Sequence, residues 1–401
     1  MTRWNLGDRQ VVVSHKNEAV TVSLAEEVLV SYDLAGRFLG SYDHGTNVRR
    51  GLDNTFQLRW RIQENGTGHP RHRTMSSAEA RTHVDGLNTQ VSRLLHDKDT
   101  AQANLAAAGV LRLAADYTYD RLAESARDFA RLYGHIPILP PDQYRALVVQ
   151  ATDGCTYNRC TFCTLYRDKS FRMRTTGDFR QHVRQVIDFL GAGLSYRTSV
   201  FMGDANAIAA ATPRLMELME ELREIAALRP IIDRGGIHSF LDIYTGRHKS
   251  ARDYLKLKDL GLRRVSLGVE SGSEALLTFV RKPGTREDIT GVVSTLKAAG
   301  VAVVIIFIVG LGGHQHREEH LAESASLLRN LPLARDDIIY LSQFSPGLQA
   351  PYSHIARQAG IIAMTTDEID EETHRWKTIL GSVVGTTGTK VAPYSFQRFI
   401  Y

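Results

Sequence analysis

Cysteine is scarce in this chain, three among 401 residues, too few for a disulfide-stapled scaffold. Long apolar runs are missing too: the longest, Val301 to Val309, is far short of the roughly 20 residues that cross a bilayer, so no membrane span is expected. Charge of neither sign dominates. The 49 Lys and Arg against 44 Asp and Glu leave a net charge of +5, a weakly basic balance that permits an anionic substrate without demanding nucleic acid. Gly at 32 and Pro at 11 are near average usage, and 43% of residues are hydrophobic, which excludes collagen-like, low-complexity and disordered chains. The opening Met-Thr-Arg-Trp-Asn-Leu-Gly-Asp carries a charge but no apolar segment and no small-residue cleavage site. A secretory leader is therefore not expected, and a cytoplasmic location is. What is left is an ordinary globular composition, long enough for two or three domains.

The three cysteines, Cys155, Cys160 and Cys163, fall within nine residues. In a cytoplasmic chain an odd and clustered set points to metal or redox work. Thiolates this close converge on one small object, either zinc or an iron–sulfur cluster. A structural zinc ion needs a fourth ligand, and the next histidine downstream is His182, nineteen residues after Cys163. In a four-iron cluster, three thiolates leave one iron open, which suits a site where a small molecule binds the metal.

The flanks place the cysteines in an alternating pattern. Arg145 to Thr152 is a short apolar, β-branched run that reads as a buried strand. After the cysteines, Thr176 to Phe189 has helical spacing, with Phe179, Val183, Val186, Ile187 and Leu190 on one face. Further strands are expected at Ser199 to Gly203, Gly236 to Leu241, Arg264 to Val269, Val301 to Val309 and Ile338 to Ser342. Helices are expected between them at 212–227, 249–259, 272–280, 286–299 and 315–330. Thr285-Arg-Glu-Asp288 resembles a capping box, and Gly300 follows as a C-terminal stop. Six strands alternating with helices imply a parallel sheet, because each parallel connection needs a crossover. Six units cannot close a standard eight-stranded barrel, so an α/β partial (βα)6 TIM-like barrel is expected, with ligands at the C-terminal strand ends.

A cysteine loop after the first strand of such a barrel, with Phe162 directly before the last cysteine, resembles the radical SAM superfamily. The usual spacing there is Cys-x3-Cys-x2-Cys, whereas four residues separate Cys155 from Cys160 here. The segment is similar to an uncharacterised group of the superfamily with the longer spacing. The resemblance covers roughly 140–355 and implies that Cys155, Cys160 and Cys163 hold a [4Fe-4S] cluster whose open iron binds S-adenosylmethionine (SAM). It also implies that Gly203 and Asp204 receive the SAM amino group, that Ser239, Glu270 and Ser271 serve its polar parts, Glu270 accepting from the ribose hydroxyls, and that the turn Gly310-Leu311 approaches adenine.

From this resemblance follows a radical enzyme that reductively cleaves SAM to a 5′-deoxyadenosyl radical and abstracts hydrogen from a small metabolite or natural-product intermediate. Alternatives are radical transfer of a SAM-derived group, a tRNA-directed modification, or a non-catalytic iron–sulfur electron carrier. With all three cysteines assigned to one cluster, neither a cysteine-ligated auxiliary cluster nor a cysteine hydrogen donor is available. Candidate catalytic side chains are Tyr166, Tyr244, Tyr340, His238, Gln343 and Ser345, with Ser239 beside them. The electron would come from a one-electron reductant such as flavodoxin or ferredoxin.

Outside the barrel, Gln10 to Ser14, Ala19 to Ser23, Val28 to Tyr32 and Phe38 to Tyr42 read as a small antiparallel sheet, with turns at Asp33 to Gly36 and Asp43 to Gly45. Residues 77–134 read as helical. Arg59-Trp-Arg61 and His69 to Arg73 form a basic stretch expected as a solvated loop, which leaves room for an anionic substrate but is too small for a nucleic-acid partner. The expected organisation is an N-terminal α+β domain over 1–138, the barrel over 139–355, and a helical extension over 356–401 whose closing aromatics, Pro393 to Tyr401, dock on the barrel.

Overall fold

The computed structural model describes residues 2–6, 9–25, 27–64, 67–96, 105–133, 136–345, 350–394 and 399–401. The chain divides into two compact units, one made of Met1–Ile136, Arg184–Thr198 and Gln397–Tyr401, the other of Pro137–Val183 and Ser199–Phe396.

The first unit is built on an eight-stranded antiparallel sheet in which each strand pairs with the next: β1 (Thr2–Leu6), β2 (Arg9–His15), β3 (Ala19–Ala25), β4 (Val28–Asp33), β5 (Phe38–Asp43), β6 (Thr46–Arg50), β7 (Phe56–Glu64) and β8 (Thr67–Thr74). Alternation along the strands sends Val11, Val13, Val20, Val22, Val30 and Tyr32 into one core. Helices Ser77–His96 and Leu105–Asp116 add Val84, Val91 and Leu111 to it, and Tyr119–Tyr133 adds Leu122. The β4 to β5 turn is fixed by Asp33, whose Oδ1 accepts from the amides of Ala35 and Arg37 at 2.9 Å each. At Gly36 the backbone has φ +86°, and a Cβ would meet the Ala114 nitrogen at 2.7 Å, so only glycine fits.

The sheet is larger than the four expected strands. The basic stretch is not a loop: Arg59 lies opposite His72 and Trp60 opposite Arg71 on the β7–β8 ladder. Charged side chains disguised these strands, but Phe56 and Leu58 still alternate toward the core. Tyr401 also departs from expectation, since its ring packs 6.0 Å from Phe129 and 6.0 Å from Tyr133 within the first unit.

The second unit holds a seven-stranded sheet. β9 (Leu147–Gln150), β12 (Val200–Gly203), β13 (Ile237–Leu241), β14 (Leu262–Glu270), β15 (Ala302–Val309) and β16 (Ile338–Gln343) lie side by side in that order, all parallel. Between β9 and β12, β10 (Thr152–Asp153) and β11 (Arg172–Met173) make a short antiparallel pair. The fold is the expected partial α/β barrel with one addition: β17 (Lys390–Tyr394) joins β16 in parallel as a seventh strand. The intervening helix Thr366–Val384 supplies the crossover that a parallel strand requires. Its Trp376 packs 5.7 Å from Phe307 and 4.5 Å from His320.

Local signals explain the helix boundaries. The Thr285 capping box forms in both directions, the Asp288 amide donating to Thr285 Oγ1 at 3.1 Å and the Thr285 amide to Asp288 Oδ2 at 3.0 Å. The helix expected over 212–227 ends at Glu224, and an unexpected second helix, Arg229–Gly235, follows it with Pro230 in its first turn, where a proline is tolerated.

Candidate functional site

The cysteines sit on a loop that leaves the C-terminal end of β9 and is closed at its base by the β10–β11 pair, with Thr152 opposite Met173 and Asp153 opposite Arg172. Asp153 reinforces the closure by accepting from Arg172 at 2.7 Å and Arg174 at 3.3 Å. Within the loop, Arg167 donates to the carbonyls of Cys160 and Cys163, both at 2.8 Å. Asn158, at φ 51°, donates its side-chain amide to Tyr166 O at 2.6 Å. The left-handed backbone at Asn158 takes up the four-residue spacing between Cys155 and Cys160, and Asn is among the few residues that adopt it at low cost.

None of the three cysteines is in a disulfide. Cys155 and Cys163 line a cavity of about 260 Å³ at the C-terminal strand ends, together with Phe162 and Tyr166 of the loop, Asn206 after β12, Asp242 after β13, Glu270 at the end of β14, Lys282, and residues of β15, β16 and β17. Burial pushes the Cys160 thiol up to about 12 and raises that of Cys163 as well. Such thiols hold their protons until a metal displaces them. Among the described residues, no group of three or more His, Cys, Asp or Glu side chains is arranged to hold a single metal ion. A four-iron cluster needs no such convergence, since each thiolate binds a different iron. Three free cysteines on one loop supply the donor chemistry that a four-iron cluster uses.

The family model of the radical SAM superfamily matches residues 149–325. This segment is a radical SAM domain. Among solved structures, the chain is similar to a radical SAM methyltransferase from Sphaerobacter thermophilus, at 16% identity and TM-score 0.45, covering 64% of this chain and 68% of that one. It is also similar to coproporphyrinogen III oxidase from Escherichia coli, a radical SAM enzyme, at 16% identity and TM-score 0.44, covering 64% and 55%. A third is the cobalamin-dependent S-adenosylmethionine radical enzyme OxsB, at 17% identity and TM-score 0.38, covering 56% of this chain and 31% of that one. The chain thus spans about half of the oxidase and about a third of OxsB. No curated protein sequence matches it. Enzymes of that superfamily use a [4Fe-4S] cluster and SAM, and the matched segment is the part of this chain that carries the cysteine loop.

The radical SAM domain gathers some of the sequence-predicted residues and disperses others. Phe162, Tyr166, Glu270, Gln343 and Ser345 line the cavity. Tyr166 is buried, and burial raises its phenol well above the ordinary value. Gly203, Asp204, Ser239, Ser271, Gly310 and Leu311 are not among the residues that line it. Asp204 faces Lys169 at 3.5 Å, and the Asp204 amide donates to Thr152 Oγ1 at 2.9 Å. Burial raises the Asp204 carboxyl to about 6, against the opposing pull of Lys169 and of the Gly154 amide. The Ser239 hydroxyl donates to Met202 O at 2.6 Å, Ser271 Oγ meets His320 Nδ1 at 2.7 Å, and Leu311 is buried against Leu276 and Tyr352. Three of the catalytic candidates lie elsewhere. His238 and Tyr340 belong to the first half of their strands, at the opposite end of the barrel, where His238 Nε2 meets Gly235 O at 2.9 Å and Tyr340 bonds Asp142. Tyr244 is exposed, with Arg247 over its ring at 4.7 Å.

Several site residues escaped the sequence reading. Lys282 is partly buried and donates to Glu270 Oε1 at 3.0 Å. Burial works against its charge, but Glu270 and the nearby Cys160 thiol hold its pKa above the ordinary lysine value. Glu270 has φ 65°, and its carboxylate folds back over Gly268, where a Cβ would lie 2.5 Å from Glu270 Oε1. Asp242 and Asn206 tie the cysteine loop to two strand ends: Thr156 donates to Asp242 Oδ2 at 2.9 Å, and Asn206 donates to Thr156 at 2.8 Å and to Asp242. Each is a short polar residue just past a strand, which is the one signal the sequence held for them. Among the described residues, no helix is long and apolar enough to cross a membrane.

Proposed function

We propose that Cys155, Cys160 and Cys163 are the cluster ligands and that the enzyme cleaves SAM reductively to a 5′-deoxyadenosyl radical, which abstracts hydrogen from a small-molecule substrate held in the barrel lumen. The reading rests above all on one observation: a pinned loop presents Cys155 and Cys163 to a cavity at the C-terminal strand ends that also holds Glu270 and Lys282. When bound, the reduced cluster supplies the electron for SAM cleavage and an open coordination position for SAM. The protein's part is to position and to exclude. Arg167 and Asn158 fix the loop backbone. Glu270 offers a carboxylate to hydroxyl groups, and Lys282 both neutralises that carboxylate and presents an ammonium to an acid. Asp204 joins the two ends of the cysteine loop, through the Gly154 amide and Lys169. Phe162, Leu165, Ile306 and Ile308 keep water from the lumen. A flavodoxin- or ferredoxin-type protein is the proposed electron donor.

The test is anaerobic reconstitution of the full chain with iron and sulfide, followed by dithionite and SAM. A loading of about four iron atoms per chain and release of 5′-deoxyadenosine are expected. Full iron loading with intact SAM would leave only an electron carrier, and release of another SAM fragment would point to transfer of a SAM-derived group.

A further inference from the structure

The lumen below the cysteine loop is lined partly by charged and partly by apolar side chains. Beside the thiols its lining is charged, but those charges are already engaged. Glu270 is bonded to Lys282 at 3.0 Å, and Asp242 accepts from Thr156 at 2.9 Å and from the Thr245 amide at 2.7 Å. Among the described lining residues, Lys282 is the only cation. Other parts of the wall are Ile138, Phe240 of β13, Ile306 of β15 and Tyr394 of β17. Phe240 is held edge-on against Phe201, with centroids 5.1 Å apart. The Tyr394 phenol is spent on Leu139 O at 2.9 Å, so the residue offers its ring to the lumen rather than its hydroxyl.

One polar group in this wall is different. Ser342, on β16, is 7% exposed and lines the cavity, yet its hydroxyl has no hydrogen-bond partner among the described residues. The hydroxyl opens onto the cavity, where water can meet it, and a ligand with a matching donor or acceptor can take that water's place. A charged group placed among Phe240, Ile306 and Tyr394 would lose its hydration with no counter-charge to replace it.

We propose, building on the radical SAM reading above, that the substrate portion meeting these apolar residues is uncharged and largely apolar, an aromatic or branched hydrocarbon group, with one hydrogen-bonding function that meets Ser342. The apolar walls hold the carbon skeleton, and the single hydroxyl sets its orientation. The anionic substrate that the basic composition left open has no seat here.

Calorimetric titration of the reconstituted full chain with indole, a neutral planar probe carrying one N–H, and with benzoate, an anionic ring of similar size, tests this. Indole should bind at least about tenfold more tightly than benzoate. Ser342→Ala should weaken indole severalfold and Phe240→Asp by about tenfold or more. Benzoate binding as tight as indole, or indole affinity unchanged in both variants, would overturn the proposal. Ser342→Ala removes a hydroxyl that bonds none of the described residues, so it reports even where Phe240→Asp fails to fold. SAM cleavage by the unaltered enzyme without either probe is measured alongside. Its absence together with the indole preference removes the radical reading and leaves the apolar site standing; its presence together with equal benzoate binding does the reverse.

Discussion

At the base of the barrel, Asp142 accepts from Arg264 at 3.0 Å and from the Tyr340 hydroxyl at 3.2 Å, and its own amide donates back to the Tyr340 oxygen at 3.1 Å. Nearby, Asp337 is fully buried and takes Lys297 at 2.6 Å and the Val303 amide at 2.8 Å. At the C-terminal mouth, polar groups are as deeply placed, but Cys155, Cys163, Glu270, Lys282 and Ser342 border a cavity. Both ends thus hold buried charge. At the base, Asp142, Arg264, Tyr340, Lys297 and Asp337 bond to protein groups, with the Arg264 Nε left without a partner among the described residues; at the mouth, donors and acceptors face a space that a ligand can enter. Buried polarity by itself is therefore a poor guide to a site, and the direction in which it faces is a good one.

The largest expected effect comes from the mouth. Cys160→Ala removes one of three thiolates, so iron content after reconstitution should fall to well under one atom per chain, and 5′-deoxyadenosine release by about a thousandfold or more. Unfolding free energy of the iron-free chain should move by about 1 kcal/mol or less. Iron analysis and denaturant titration read the two outcomes separately. A variant that keeps its iron would break the ligand assignment and with it the functional half of the comparison.

The base should answer in the opposite way. Asp142→Ala leaves the Arg264 guanidinium with its bond to the Asp336 carbonyl but without its carboxylate, and removes the partner of Tyr340, so it should cost about 2 kcal/mol of stability. SAM affinity of the folded, reconstituted variant should stay within about twofold of the parent enzyme. Loss of SAM binding at undiminished stability would show that the two ends are not separable.

How much of this was legible in the sequence follows the same division. Strands buried on both faces, such as Val303 to Phe307, announce themselves as apolar runs, and three cysteines in nine residues are hard to misread. β7 and β8 were hidden because Arg59, Arg61, Arg71 and Arg73 gave their ladder the look of a solvated loop. β17 was hidden because Lys390–Tyr394 is short and contains a proline, which an edge strand tolerates. Residue chemistry alone made His238 and Tyr340 look like candidates, but depth along a strand decides which end of a barrel a side chain reaches, and both stand too early. Lys282 went unseen because nothing local marks a lysine that folds back onto a glutamate twelve residues before it.

The last expected effect is a difference of sign with pH. At the mouth, burial raises Asp204 from an ordinary value of 3.8 to about 6, with Lys169 and the Gly154 amide opposing. The fold therefore holds the Asp204 proton more tightly than the unfolded chain does, so this contribution to stability is present below about pH 4 and is lost as pH rises through 6. At the base, burial lowers His238 from 6.5 to about 4, with the Gly235 carbonyl and Asp142 opposing and Arg264 and Arg263 assisting. Its contribution is present above about pH 6.5 and is lost as pH falls toward 4. At about 1.4 kcal/mol per unit, each is worth on the order of 3 kcal/mol. Denaturant unfolding of the iron-free chain between pH 4 and 7.5 should show Asp204→Asn gaining on the unaltered protein as pH rises. His238→Gln should gain on it as pH falls. Parallel slopes in the two variants would mean that the carboxyl at the mouth and the imidazole at the base share one environment, and the contrast between the ends would then rest on the cavity alone.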